Sequence, residues 1–316
     1  MLLKPSVYIA AVSICVLAIC VYAVRSSLGA SLGAGAERKL SDLQYTVLET
    51  IPADATCFTQ GLQLYTPPAT AQAQAPTVLY QSCGLYGESN VRMVDPQTGA
   101  VIKQSKIFNN RVFSEGIVVL PSPHDKAVPW VYMLTWKNRR MYVLDGNTLD
   151  VLFNVKVMTY GGEGWGLTYD VHKHQLVASD GTSHLTWLTI PSSKSDVIQA
   201  VRHVAVHFPP APPTPPASVR STEVSKLNEL MYVNGYIYAN VWYDDRILQI
   251  APQTGLVVGV LDCSELYPKQ ERMKHNAGMC MCMCMCMCMR MRMRMRMCIC
   301  MCMCICMCMC VCVCVC

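Results

Sequence analysis

Short apolar runs separated by turn residues fill the chain between residues 44 and 278. The runs are rich in Val, Ile, Tyr and Leu, which favour strands, and helical periodicity of three to four residues is scarce. One unit recurs, made of an apolar run, a turn such as Asp-Pro-x-Thr-Gly and a second apolar run, at 91–102, 141–152, 185–198 and 247–260. Proline presets φ at such a turn and glycine accepts a positive φ. The pattern predicts an all-β body built of repeated hairpins.

The spacing of these units indicates a propeller. The turn residues Asp95 and Asp145 are 50 residues apart, and a further 46 residues lead to Pro191. The next interval, to Pro252, is 61 residues because it contains the proline-rich stretch 209–216, which we interpret as a surface loop. A period of roughly 40–50 residues with several strands per unit is typical of a β-propeller. A β-sandwich, which also consists of many short strands, is the alternative.

The N-terminus contains an apolar run that points to export. The chain has 316 residues, of which 52% are apolar and 15% charged, with a mean hydropathy of +0.26. Residues 7–24 carry no charge, and a membrane span needs about 17–25 such residues. We expect a transmembrane signal-anchor helix or a signal peptide over 1–25, followed by a linker over 26–43. The body would then lie in the secretory pathway, as part of a single-pass membrane protein or as a secreted protein.

The C-terminal tail, 279–316, alternates Met-Cys, Met-Arg, Ile-Cys and Val-Cys and holds 15 of the 20 cysteines. An unbroken Cys-x-Cys ladder does not have the paired spacing of a zinc site, although a metallothionein-like metal sink is an alternative. The alternation corresponds to a translated TG-dinucleotide repeat. We therefore interpret the tail as low-complexity sequence and expect it to pack poorly against the body.

Charge gives no indication of a nucleic-acid partner. The net charge is +5, but six of the 26 basic residues lie in the tail or beside the N-terminal apolar run. The remaining 20 basic residues stand against 21 acidic ones, so the body is near neutral.

Several short motifs lie between the hairpin units. In chain order they are FTQGL (58–62), GLYGES (84–89), F-x-EG (113–116), LTW (134–136), GWGL (164–167), SDGT (179–182), LNEL (227–230) and ANVW (239–242). As an ordered set they resemble the plant-type glutaminyl-peptide cyclotransferases, over about residues 44–268. The resemblance implies a five-bladed β-propeller over 44–278 with no cofactor and no catalytic metal. Most of the closing blade of that family, with its late lysine, has no counterpart in this chain.

The resemblance also implies a reaction and a set of roles. The reaction converts the N-terminal glutamine of peptides or proteins to pyroglutamate with release of ammonia. Glu115 would move the proton, and Gln60 and Asn228 would hold the substrate. The wall of the pocket would consist of Phe58, Phe113, Trp136, Trp165 and Trp242.

Each of these assignments has an alternative. The tryptophans could be core residues between blades, and Glu88, Glu163 and Glu229 compete with Glu115 for the acid–base role. A different function is also open: a non-catalytic, membrane-tethered propeller that binds peptides or protein partners.

One disulfide is expected, between Cys57 and Cys83. Residues 58–65 and 78–83 are predicted to be the arms of one hairpin, and if Leu62 lies opposite Val78, then Cys57 lies opposite Cys83. Both cysteines replace the small residue or threonine common in the motifs of the family, which suggests a paired substitution.

Overall fold

The computed structural model describes residues 40–68, 76–210 and 222–266, and the backbone of 281–282, 299–305 and 309–315. Within these ranges all regular structure is β-strand, so the all-β prediction is confirmed. The predicted span at 7–24 lies outside the described residues. Among those that are described, no helix is long and apolar enough to cross a membrane.

Four sheets form the body, and each consists of four strands that are consecutive in the chain. Blade 1 contains β3 (Thr59–Tyr65), β4 (Val78–Cys83), β5 (Asn90–Val94) and β6 (Val101–Gln104). Blade 2 contains β7 (Ser114–Pro121), β8 (Pro129–Thr135), β9 (Arg140–Asp145) and β10 (Val151–Lys156). Blade 3 contains β11 (Leu167–Asp170), β12 (Gln175–Ala178), β13 (His184–Leu188) and β14 (Ala200–Ala205). Blade 4 contains β15 (Leu227–Val233), β16 (Tyr236–Val241), β17 (Arg246–Ile250) and β18 (Val257–Asp262).

The sheets are arranged as in a propeller rather than a sandwich. The first strands contact one another in the order β3, β7, β11, β15, whereas the last strands β6, β10 and β14 are mostly exposed. The core lies between neighbouring blades: Trp187 and Leu185 of blade 3, for example, belong to one buried cluster with Leu230 and Ile237 of blade 4. The inner strands therefore surround one axis.

The recurring units form hairpins, as the sequence predicts. In each blade the hairpin consists of the third and fourth strands. In blade 1 the Asp95 carboxylate accepts hydrogen bonds from the backbone N–H groups of Gln97 and Thr98. In blade 2 the Asp145 carboxylate accepts hydrogen bonds from the backbone N–H groups of Asn147 and Thr148. This local bonding explains why aspartate begins both turns.

The expected number of blades is wrong, because the described residues form four blades and not five. A separate fifth sheet combines β2 (Tyr45–Pro52) from the N-terminal side with three tail segments: β19 (Met281–Cys282), β20 (Ile299–Ile305) and β21 (Met309–Val315). β21 lies between β20 and β2 and is antiparallel to both. The tail was expected to pack poorly against the body, but the backbone of β21 pairs with β2 along its length. A short strand, β1 (Ser41–Leu43), adds in parallel to β18.

The predicted arms 58–65 and 78–83 do form a hairpin, but the predicted register is wrong. Leu62 pairs with Gln81, because Val78 lies opposite Tyr65, the last residue of β3, and not opposite Leu62. Thr59, rather than Cys57, stands opposite Cys83. Cys57 lies just before β3, and its disulfide to Cys83 spans 5.0 Å between Cα atoms.

Candidate functional site

One position of the repeat recurs near the start of each inner strand. The strand register shifts between Thr59 and Gly61, between Ser114 and Ile117, and between Leu227 and Leu230. Such a shift is a β-bulge, which re-aims a side chain out of the regular alternation. The residues inside these three bulges include Gln60, Glu115 and Asn228, the polar residues that the sequence assigns to the site.

Hydrogen bonds between blades show that Trp165 occupies the same position in blade 3. The carbonyl of Glu115 accepts a hydrogen bond from Ser82 Oγ of blade 1 at 2.6 Å. The carbonyl of Trp165 accepts one from the Gly116 N–H of blade 2 at 2.7 Å, and that of Asn228 accepts one from Ser179 Oγ of blade 3 at 2.6 Å. In each case the acceptor belongs to the next blade: Glu115 and Asn228 are bulge residues, and Trp165 takes the corresponding place just before β11. Four corresponding positions around the axis thus carry an amide, a carboxyl, an indole and a second amide.

These polar residues are almost completely buried. Gln60 and Asn228 are each 8% exposed and Glu115 is 7% exposed. The Gln60 side chain lies beside the Phe113 ring, because a Cβ added to Gly84 would be 3.0 Å from Gln60 Cγ and 2.5 Å from the ring of Phe113. The glycine at 84 is therefore needed for these two side chains to come together.

The predicted wall residues form two aromatic groups. In the first, the Phe113 ring packs edge-on against Phe58 at 6.3 Å and against Trp136 at 5.5 Å between centroids. In the second, Trp165 and Trp242 are perpendicular at 5.4 Å. Edge-to-face geometry at these distances is the favourable arrangement for aromatic pairs.

A carboxylate joins the two groups. Glu163 Oε2 accepts a hydrogen bond from Trp136 Nε1 at 2.7 Å and another from Trp165 Nε1 at 2.9 Å. Through Glu163, all five predicted wall residues belong to one connected array.

The burial of these rings distinguishes them from core residues. Phe58, Phe113, Trp136, Trp165 and Trp242 are all only partly buried. Two other tryptophans, Trp130 and Trp187, are the ones that fill the core, at 7% and 1% exposure. Partial exposure thus separates the five rings of the array from the two core tryptophans.

The three glutamates that are alternatives to Glu115 for the acid–base role have different surroundings. Glu88 is exposed, and Glu163 is occupied by the two indoles. Glu229 is 3% exposed and directly follows Asn228 in the inner strand of blade 4. Sequence reasoning treated Glu163 and Glu229 only as competitors for the acid–base role, and the structure gives each a distinct position.

Two tyrosines and two lysines, which the sequence did not single out, border the array. Tyr86 is 46% exposed and its ring lies 5.4 Å from Phe113, while Tyr243 is 50% exposed and lies 4.2 Å from Trp242. Lys137 Nζ lies 4.1 Å from the centroid of the adjacent Trp136 ring, and Lys226 Nζ lies 5.6 Å from the Tyr243 ring. These distances are those of cation–π contacts, so the rim is both aromatic and positively charged.

Comparison with known proteins assigns the fold and the family. The sequence model of the family described as glutamine cyclotransferase matches residues 15–280. A curated glutaminyl-peptide cyclotransferase of Arabidopsis thaliana is 31% identical over 241 residues, which are 76% of this chain and 64% of that protein. The chain thus spans somewhat less than two thirds of that relative.

The crystal structure of Myxococcus xanthus glutaminyl cyclase has a similar fold, with a TM-score of 0.60 and 24% identity over 88% of this chain and 99% of that one. The family match covers most of the chain and includes every residue of the aromatic array. The chain belongs to the glutamine cyclotransferase family.

Proposed function

We propose that this chain is a glutaminyl-peptide cyclotransferase, which converts an N-terminal glutamine to pyroglutamate and releases ammonia. The observation that carries the proposal is the set of corresponding bulge positions, because Gln60, Glu115 and Asn228 lie there beside a connected aromatic wall. Membership of the family and the name of the Arabidopsis thaliana relative support the same reaction.

The reaction depends mainly on positioning. The α-amino group of the substrate attacks the carbon of its own side-chain amide, so both reacting groups belong to one flexible residue. Holding that residue in a curled, ring-like conformation removes much of the entropic barrier. Aromatic side chains on two sides, held together by Glu163, provide rigid walls for this purpose.

The polar side chains transfer the proton and form hydrogen bonds to the substrate. Glu115 accepts a proton from the attacking amine and returns one to the departing nitrogen, which leaves as ammonia. The amide groups of Gln60 and Asn228 donate hydrogen bonds to the carbonyl oxygen as it gains negative charge, or hold the substrate's amine. Burial of all three side chains limits competing solvation, so each hydrogen bond to the substrate is stronger than it would be in water.

The test uses the full chain and a peptide with N-terminal glutamine, with ammonia release and pyroglutamate formation as readouts. Glu115→Gln keeps the size and hydrogen-bonding reach of the side chain but removes its titratable proton, so kcat is expected to fall by roughly 10²–10⁴. KM is expected to change far less, because the walls remain. Glu88→Gln, at an exposed carboxyl, is the matched control and is expected to behave as the wild type.

Two results would contradict the proposal. Retention of wild-type turnover by Glu115→Gln would remove Glu115 from the chemistry. Binding of the peptide by the wild-type chain without any release of ammonia would favour the alternative of a non-catalytic propeller that binds peptides or protein partners.

We further propose that the propeller resides in the secretory pathway, tethered by residues 7–24 or secreted, and acts there on peptides or proteins with N-terminal glutamine. The Cys57–Cys83 disulfide supports this location, since disulfides persist in oxidising compartments. Protease protection of the body inside intact microsomes would agree with it, and digestion there without detergent would refute it.

A further inference from the structure

The residue after each of the positions Gln60, Glu115, Trp165 and Asn228 is glycine in three blades and glutamate in the fourth. It is Gly61, Gly116 and Gly166 in blades 1 to 3, and Glu229 in blade 4. The glycines are required because neighbouring inner strands approach closely: a Cβ on Gly116 would lie 2.4 Å from the Leu167 nitrogen. A Cβ on Gly166 would lie 2.0 Å from the Asn228 carbonyl oxygen. Three blades thus leave out a side chain at the place where the fourth introduces a carboxyl.

The Glu229 side chain extends from β15 across the axis. Its carboxyl accepts hydrogen bonds from the backbone N–H groups of Leu62 in β3, Leu167 in β11 and Leu230 in its own strand. Its Oε2 atom also lies 2.6 Å from the point where a Cβ on Gly116 of β7 would stand. One carboxyl therefore touches the inner strands of all four blades.

These contacts lie next to the site residues in the chain. Leu62 is two positions after Gln60, Gly116 directly follows Glu115, and Leu167 is two positions after Trp165. The Glu229 carboxyl thus contacts the chain one or two residues away from Gln60, Glu115 and Trp165.

We propose that Glu229 is a positioning residue, whose carboxyl joins the four inner strands at the axis and so sets the relative placement of Gln60, Glu115, Trp165 and Asn228. This inference rests on the proposed function for its catalytic consequence, but not for its structural one. It separates Glu229 from the acid–base role that its sequence motif also allowed.

The surroundings of the carboxyl agree with a neutral acid. Burial raises the pKa of Glu229 well above its ordinary value, against the opposing effect of the three backbone donors. Among the described residues, Oε2 has no hydrogen-bond partner, so this oxygen is available to carry the proton. A glutamine amide has the same shape as a protonated carboxyl and would fit the same contacts.

The experiment compares three variants of the full chain. Glu229→Gly introduces the residue of the other blades, Glu229→Asp shortens the reach by one methylene, and Glu229→Gln keeps the neutral shape. Glu88→Gly, at an exposed carboxyl, controls for the loss of a glutamate side chain. The readouts are kcat and KM for a peptide with N-terminal glutamine, and amide hydrogen exchange in segments containing Leu62 and Leu167.

We expect Glu229→Gly and Glu229→Asp to lower kcat at least tenfold, with a smaller change in KM. Both variants are also expected to accelerate amide exchange at Leu62 and Leu167, which lie in blades 1 and 3 whereas Glu229 lies in blade 4. Glu229→Gln is expected to restore both kcat and protection. Wild-type kcat and protection in Glu229→Asp would overturn the proposal, as would a Glu229→Gln variant as impaired as Glu229→Asp. Should the wild-type chain release no ammonia, the proposed function fails, while exchange at Leu62 and Leu167 still decides whether Glu229 joins the strands.

Discussion

The Glu163 carboxylate accepts hydrogen bonds from the indoles of Trp136 and Trp165 through one oxygen, and so holds the two rings of the candidate site together. Hydrogen bonds to a charged acceptor are shorter and stronger than neutral ones. Since the two tryptophans come from different blades, the contact also joins blades 2 and 3 at the site.

Replacing Glu163 tests this arrangement. Glu163→Gln keeps an oxygen acceptor, so a small rise in KM is expected. Glu163→Leu leaves two indole N–H groups without an acceptor, at a cost of about 1–3 kcal/mol for each group that stays buried. We expect a tenfold or larger rise in KM and a shift in tryptophan fluorescence for Glu163→Leu only.

Glu265→Gln, at an exposed carboxyl, is the control for that comparison. Equal effects of Glu163→Gln and Glu163→Leu on KM would show that charge, and not the acceptor oxygen, matters at this position.

The buried Glu229 carboxyl predicts a specific dependence of stability on pH. Its folded-state pKa lies well above the ordinary 4.5, so the folded protein holds the proton more tightly than the unfolded chain. The stabilisation from this group is complete below about pH 4.5 and is lost as the pH rises through the folded-state pKa. Over that window the loss is about 1.4 kcal/mol per pH unit.

Urea unfolding of the wild type and Glu229→Gln between pH 5 and pH 8 measures this dependence. Glutamine does not titrate, so the variant is expected to gain stability relative to the wild type as the pH rises. A difference that stays constant with pH would mean that Glu229 is ionised throughout.

At the scale of elements, the Cys57–Cys83 disulfide fixes the start of the first inner strand. It closes a loop with a sequence separation of 26, and Gln60 lies three residues after Cys57. The loop-closure relation gives a loss of about 3.5 kcal/mol when such a crosslink is removed.

We therefore expect the double variant Cys57→Ala/Cys83→Ala to unfold at a lower urea concentration and to bind substrate more weakly through Gln60. Cys263→Ala, which removes a buried free thiol, controls for the loss of sulfur without any change in loop closure. An unchanged unfolding midpoint in the double variant would show that the crosslink does not stabilise the fold.

Local signals in the sequence predict local structure well. The turns at Asp95 and Asp145 are correct because a side chain bonding its own turn needs no distant partner. The predicted register of β3 against β4 is wrong because pairing joins two separate segments of the chain, and no local signal indicates that Tyr65 lies opposite Val78.

The roles of Glu163 and Glu229 could not be read from sequence because their partners are distant along the chain. Trp136 is 27 residues from Glu163, and Leu62 is far from Glu229. One signal was nevertheless present. Aligning the pairs Gln60-Gly61 and Glu115-Gly116 with Asn228-Glu229 would have shown a glutamate at a glycine position.

At the scale of the molecule, β2 joins the N-terminal and C-terminal parts of the chain through its pairing with β21. It directly precedes β3 of blade 1 in the chain but pairs with β21 in the fifth sheet. The N-terminal part of the body is therefore hydrogen-bonded to the C-terminal segment.

The pairing of β2 with β21 predicts a selective effect of one proline substitution in the tail. Val313 pairs with Val47, and β21 has a partner strand on each side, so each of its N–H groups faces a neighbour. Val313→Pro removes a donor and constrains φ, which a central strand does not tolerate. We expect faster amide hydrogen exchange across Tyr45–Pro52, with exchange in β7 to β10 of blade 2 unchanged. Met293→Pro, outside the described strands, is the control, and equal protection of Tyr45–Pro52 in both variants would show that β21 does not hold β2 in solution.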